Sequence, residues 1–164
     1  MSEESLRQEL MDSFKNRAIL YYLIFDEMRA ELGEQRAAEV LARAIYRRGT
    51  QNGHKLASFA PDDFEGLKRA FLGGIPDEGR LFDPQVLRCD EEGLDIRFRR
   101  CPLKEAWQEM GLAKEEVATI CRIAARVDNG LFDSAGFNFS AETWQPGGDG
   151  CCYLHLRSGK ALGG

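Results

Sequence analysis

The periodicity of the chain changes abruptly at Cys101-Pro102. Upstream, Leu94, Ile96 and Phe98 alternate with Asp95, Arg97 and Arg99, the spacing of a strand with one buried and one wet face. Downstream, Trp107 and Met110 sit three apart before Gly111, the spacing of an inward helix face. Proline suits the first helical residue because its φ is already helical and its missing N–H would be unpaired there. Cys101 is therefore the expected N-cap, with a strand feeding directly into a helix.

Helices dominate the chain before this point. Ser5 to Gln8 has the spacing of a capping box, and Leu6, Leu10, Phe14, Ala18 and Tyr21 form one apolar stripe. A helix is expected to Leu32, with Gly33 as its stop. From Ile19 to Phe25 it is apolar nearly all round, so either several elements or a second copy of the chain must cover it. The second reading makes the first helix a candidate homodimer face. Another helix is expected over 34–48, closed by Gly49, with Ala38, Leu41, Ala42 and Ile45 inward. A third, shorter helix starts with Pro61-Asp62-Asp63, where carboxylates complement the helix dipole. Gly73 to Gly79 is a loop that lacks the lysine of a phosphate-binding turn.

A hairpin of 86–90 with 94–100 turns through Glu91-Glu92-Gly93. After the Pro102 helix, one further helix is expected over 114–129, then strands near 140–144 and 152–157. The tail from Ser158 to Gly164 is expected to fray. The sum is α+β: N-terminal helices packed on a small antiparallel β-sheet interrupted by two helices, as a single domain over 1–164 with a pocket segment at about 101–156. At 164 residues, burial of roughly 70% of the unfolded surface needs no disulfide or metal.

A net charge of −5 leaves no wide basic field for phosphates, which argues against a nucleic-acid partner. The run Ile19 to Phe25 is well short of the about 20 apolar residues of a membrane span. The acidic Ser2-Glu3-Glu4 opening does not resemble an export signal, so a cytoplasmic location is expected. Five cysteines in a reducing compartment read as core fillers, metal ligands or reactive thiols. Structural zinc sites show close ligand pairs such as C-x-x-C, and this chain has none. Neither metal nor cofactor is expected, and the expected partner is a small molecule.

Cys101 carries the most chemical information. A thiol at an N-cap faces unpaired N–H groups and the positive end of the helix dipole, both of which favour the thiolate. The other reading is a buried cysteine at a strand end. Cys121 and Asp128 are seven residues apart on one expected helix and so share a face. Cys121 reads as a core residue. Asp128, near a helix C-terminus, either caps the following loop or faces a pocket as a base or substrate anchor. Asp149 reads locally as a turn residue. Alternation puts Cys152 with Leu154 and Leu156, toward the core, and Cys151 with Tyr153 and His155, away from it. His54 reads as a loop residue, and no histidine is an evident partner for a cysteine.

The pattern C-P-x-x-x-x-W-x-x-x-G at 101–111, with Cys121, Asp128, Gly136-Phe137-Asn138 and Gly148-Asp149-x-x-Cys152, resembles the L-2-amino-thiazoline-4-carboxylic acid hydrolase family. Cys151 and Leu154 depart from that pattern. The resemblance implies hydrolytic opening of a cyclic amidine at the carbon between sulfur and nitrogen. Under it, Cys101 is the nucleophile or polarises the attack, Asp128 or Asp149 moves protons, and Cys152 is a second sulfur facing the same hollow, with Cys121 in its wall. Asn138 and the backbone N–H groups from Leu103 onward bind substrate, and Arg47 or Arg100 holds its carboxylate. Two readings from other classes stand beside this one: a non-enzymatic small-molecule sensor using the same pocket, and an interaction module using the first helix.

Overall fold

The computed structural model describes residues 1–159. The expected fraying falls mainly on Lys160 to Gly164, outside those residues. Six α-helices and four strands are present among the described residues.

Helix α1 spans Glu3–Leu32 and is capped by Ser2, whose Oγ accepts the Ser5 N–H at 3.1 Å. The cap thus lies three residues ahead of the expected Ser5. Gly33, at φ 83°, alone separates α1 from α2 (Glu34–Thr50), and only glycine takes this backbone conformation without strain. Ala18, Tyr22 and Phe25 of α1 are buried. Leu20, Leu23 and Ile24 stay about half exposed in the single chain, at 50%, 47% and 46%. The all-round apolar stretch is therefore covered on one side only.

Helix α3 (Phe64–Gly73) starts at Asp63, whose carboxylate accepts the Gly66 N–H at 2.9 Å. Strands β1 (Pro84–Asp90) and β2 (Gly93–Phe98) form the expected hairpin. Next come α4 (Pro102–Glu109), α5 (Lys114–Ala124) and α6 (Arg126–Ala135), then β3 (Asn138–Glu142) and β4 (Tyr153–Arg157). Three helices, not two, interrupt the sheet, because the chain kinks at Ala125. The Asp128 N–H bonds the Ala125 carbonyl at 3.1 Å, a tightened turn that ends one helix and starts the next.

The sheet order is β1-β2-β4-β3, antiparallel throughout. Leu94, Ile96 and Phe98 of β2 and Leu154 and Leu156 of β4 turn inward onto Phe64, Leu67, Phe132 and Phe137. On the outer face, His155 bridges Asp95 of β2 at 2.8 Å and Glu142 of β3 at 2.7 Å, tying three strands together. A second core lies among α1, α2, α4 and α5. It centres on Phe25, Trp107, Val117 and Ile120. The indole N–H of Trp107 donates to the Ala18 carbonyl at 2.7 Å and so fixes α4 against α1. Phe82 and Cys101 pack against both cores.

Helices α2 and α6 meet backbone to backbone. A Cβ on Gly49 would land on the Val127 carbonyl oxygen, and one on Gly130 would land on the Tyr46 carbonyl oxygen. Gly49 is therefore not a stop signal. It lies inside α2 because nothing larger fits the crossing. Tyr46 Oη also donates to Asp133 at 3.1 Å across the same contact. Gly130→Ala is expected to lose stability by about 1–3 kcal/mol or more, despite alanine's better helix propensity, since a backbone oxygen cannot swing aside. Gly73→Ala meets nothing within 4 Å and serves as the neutral control. Urea unfolding midpoints decide the matter, and an unchanged midpoint for Gly130→Ala would show that the two helices do not touch.

Candidate functional site

Between the two cores the structure leaves a cavity of about 190 Å³. Its walls are mainly apolar, with Phe71, Phe82, Phe98 and Trp107 supplying aromatic surface. Four of the five cysteines line it (Cys101, Cys121, Cys151 and Cys152), together with one acid, Asp128, and one cation, Arg17. Among the described residues no group of three or more His, Cys, Asp or Glu side chains is arranged to hold a metal ion.

Cys101 is the N-cap of α4, in extended backbone at φ −151° and ψ 119°. Its half-buried thiol is held below the ordinary cysteine range. The adjacent Cys151 thiol contributes most, followed by the N–H groups of Lys104 and Leu103, and together these outweigh desolvation. No capping hydrogen bond of full geometry forms, so the N–H groups act as aimed dipoles. Cys151 moves the opposite way. Its contacts with Cys101 and Cys152, and then its burial, push its thiol far up. Of these two sulfurs, Cys101 ionises more readily and Cys151 less readily than an ordinary thiol.

Burial alone pushes Asp128 from 3.8 up to about 7. The kink at Ala125 places Asp128 in the first turn of α6, where the helix dipole favours a carboxylate, so it does not oppose the dipole as the unbroken helix implied. Burial in a mainly apolar hollow still dominates. Cys121 is buried, and desolvation first, then neighbouring sulfur charge, raises its thiol.

Alternation fails at the last two cysteines. Strand β4 begins only at Tyr153, so Cys151 is not forced to the face opposite Cys152, and both reach the cavity. Cys151 is the more deeply buried, at 7% exposure, which reverses the expected order. Their Sγ atoms lie 2.9 Å apart.

Arg17 and Lys104 escaped the sequence reading. Arg17 stands on the exposed side of α1 at the edge of the cavity, its guanidinium 4.7 Å from the Phe14 ring centre. The flanking stripe of Phe14, Ala18 and Tyr21 was its only signal. Lys104 is buried at 8%. Its ammonium donates to the Gly150 carbonyl and lies 5.5 Å from the Trp144 ring centre, clamping the loop before β4 onto α4. Its position three residues after an N-cap cysteine was the available clue.

Four nominated residues stand outside the cavity lining. Asp149 is exposed in the turn after Trp144. Asn138 is exposed and donates to the Ser158 carbonyl at 2.8 Å. Arg100 makes a two-pronged pair with Glu105, both contacts 3.0 Å. Arg47 is exposed in the last turn of α2. Cys101, Cys121, Asp128 and Cys152 are the nominated residues that the fold brings together.

A family model for L-2-amino-thiazoline-4-carboxylic acid hydrolase matches residues 13–156. The chain belongs to the L-2-amino-thiazoline-4-carboxylic acid hydrolase family. The match takes in α1 from residue 13 onward, which includes Arg17, as well as the cysteine-bearing half. No curated protein matches the chain. Among solved structures, the fold is similar to the phenol-responsive sensory domain of the transcription activator PoxR, solved with phenol. The TM-score is 0.53 at 17% identity, over 85% of this chain and 73% of that one. Among the described residues no helix is long and apolar enough to cross a membrane.

Because Asp128 titrates higher in the folded chain than in the unfolded one, its neutral form favours folding fully below about pH 3.8, and this contribution is lost as pH rises through about 7. Asp128→Asn is expected to flatten the fall in stability across that window and to be more stable than wild type above it. Denaturant titrations at stepped pH give the answer. A variant whose slope matches wild type would place the carboxyl in water.

Proposed function

We propose that this chain is a hydrolase that opens a small cyclic amidine, with Cys101 as nucleophile and Asp128 as the group that moves protons. One observation carries the reading: a thiol shifted toward its thiolate and a carboxyl pushed up to about 7 line the same hollow. Groups whose environments push their titrations apart are suited to paired nucleophile and acid roles.

The size supports it. A cavity of about 150 Å³ accommodates benzene, so about 190 Å³ suits one five- or six-membered ring with a small substituent. In the reaction, the Cys101 sulfur bonds to the ring carbon between sulfur and nitrogen while Asp128 protonates the departing ring atom. Asp128, now ionised, takes a proton from water. The water oxygen then bonds to that carbon and releases the Cys101 thiolate, leaving a ring-opened carbamoyl product. One water is consumed, and both side chains are restored. Of the charged residues, Arg17 is the one at the cavity that can hold a substrate carboxylate, and it takes that role in preference to Arg47 and Arg100. The five free thiols suit the reducing cytoplasm.

A second reading, binding without turnover, is favoured by the largely apolar lining and by the fold shared with a phenol-responsive sensory domain.

The experiment is turnover of 2-amino-thiazoline-4-carboxylate, alongside thermal melts with and without phenol. Wild type should consume the substrate. Cys101→Ser should abolish turnover with a nearly unchanged melting temperature, and Arg17→Ala should raise KM while largely keeping kcat. A fully active Cys101→Ser enzyme removes the nucleophile assignment. No turnover, combined with a melting temperature raised by phenol, favours the sensor.

A further inference from the structure

The contact between Cys151 and Cys152 is not used by the hydrolytic reading. Adjacent residues in a strand point to opposite faces, yet these two thiols touch at 2.9 Å. The pair sits just ahead of β4, between fixed points. The Cys151 N–H donates to the Phe98 carbonyl at 3.0 Å, and the Phe98 N–H donates to the Cys152 carbonyl at 2.8 Å. The preceding Gly150, at φ 69°, packs against the Phe98 and Arg99 carbonyls, and Lys104 holds its own carbonyl. This backbone anchoring keeps the two sulfurs within reach of each other. Cys152 is the less buried of the two and faces the cavity, so any molecule small enough to enter can reach it.

We propose that Cys151 and Cys152 form an oxidisable dithiol that a small peroxide closes to a vicinal disulfide in the wall of the cavity. The Cys152 sulfur attacks one peroxide oxygen, the O–O bond breaks, and the other oxygen leaves as water or an alcohol carrying the thiol proton. Cys152 is then a sulfenic acid. The Cys151 sulfur attacks the Cys152 sulfur, and the hydroxyl departs as water with the Cys151 proton. Two thiols and one peroxide become one disulfide, one water and one water or alcohol. Sulfur is oxidised and peroxide reduced. Cys101, which also touches Cys151 and is the more readily ionised sulfur, is both the competing partner and the competing peroxide target, so the claim is specific about which sulfurs join. It does not depend on the hydrolytic reading, since it needs no substrate.

The sequence makes the test direct. Trypsin releases Cys101 in the peptide 101–104 and releases Cys151 and Cys152 together in 127–157, which contains no other cysteine. The full chain is treated with hydrogen peroxide at neutral pH, blocked with an alkylating agent in denaturant, and digested without reduction. The expected result is a fall from five to three free thiols, with 127–157 two hydrogens lighter and unalkylated, reversed by dithiothreitol. Cys101→Ser should still form the link. Cys152→Ser should not, and Cys151→Ser should stop at a sulfenic acid on residue 152 that dimedone traps. Circular dichroism confirms that each variant is folded. Peptide 101–104 joined to 127–157, over-oxidation of Cys152 without a disulfide, or five intact thiols would each overturn the proposal.

Discussion

The backbone crossing of α2 and α6, where Gly49 meets Val127 and Gly130 meets Tyr46, is the constraint from which the site follows. A close crossing of this kind tolerates no side chain at either glycine, so it sets where α6 lies. Val127, whose carbonyl touches Gly49, is followed at once by Asp128, and both residues line the cavity. The kink at Ala125 lets α5 pack in the helical core while α6 reaches toward the sheet, carrying Phe132 into the second core. The helical layer and the sheet are thereby held as neighbours without merging into one continuous core.

The hollow is what remains between them. Its lining comes from both sides, with Trp107 and Cys121 from the helical core and Phe98 and Cys151 from the sheet core. Cys101 belongs to both, because it is the residue at which β2 becomes α4. Low polarity in this space acts on each ionisable group according to its partners. Asp128 has no compensating contact and keeps its proton to about pH 7. Cys101 has a thiol donor and two backbone N–H groups, which overcome the same desolvation. The same hollow therefore shifts the two groups in opposite directions.

Much of the fold was legible because periodicity survives packing. The β2 alternation, the Pro102 helix start and the Gly33 junction all stand as read. The kink was not legible. Ala124-Ala125-Arg126 has no glycine or proline to mark it, and a tightened turn between two helices looks like one helix in sequence. Gly49 was misread for the opposite reason, since a glycine near a helix end signals a stop unless a second backbone is known to cross it. Within the site, Cys101, Cys121, Asp128 and Cys152 were found from cap chemistry and spacing. Cys151 was set aside by an alternation rule that begins to apply only at Tyr153. Arg17 lies more than eighty residues from the cysteine cluster, and nothing local ties it there. Asn138, Arg47 and Arg100 were named for what their side chains can bind, and that criterion carries no information about where a chain places them.

The central claim is that Cys101 ionises ahead of Cys121 and Cys151. The most direct measurement is alkylation of the folded chain by limiting iodoacetamide at pH 7, with the modified site located by mass spectrometry. The expected result is labelling at Cys101, in peptide 101–104, well before Cys121 or Cys151, with both of those reacting only after unfolding. Equal rates across the five thiols, or a Cys101 that stays unmodified until the chain unfolds, would contradict it.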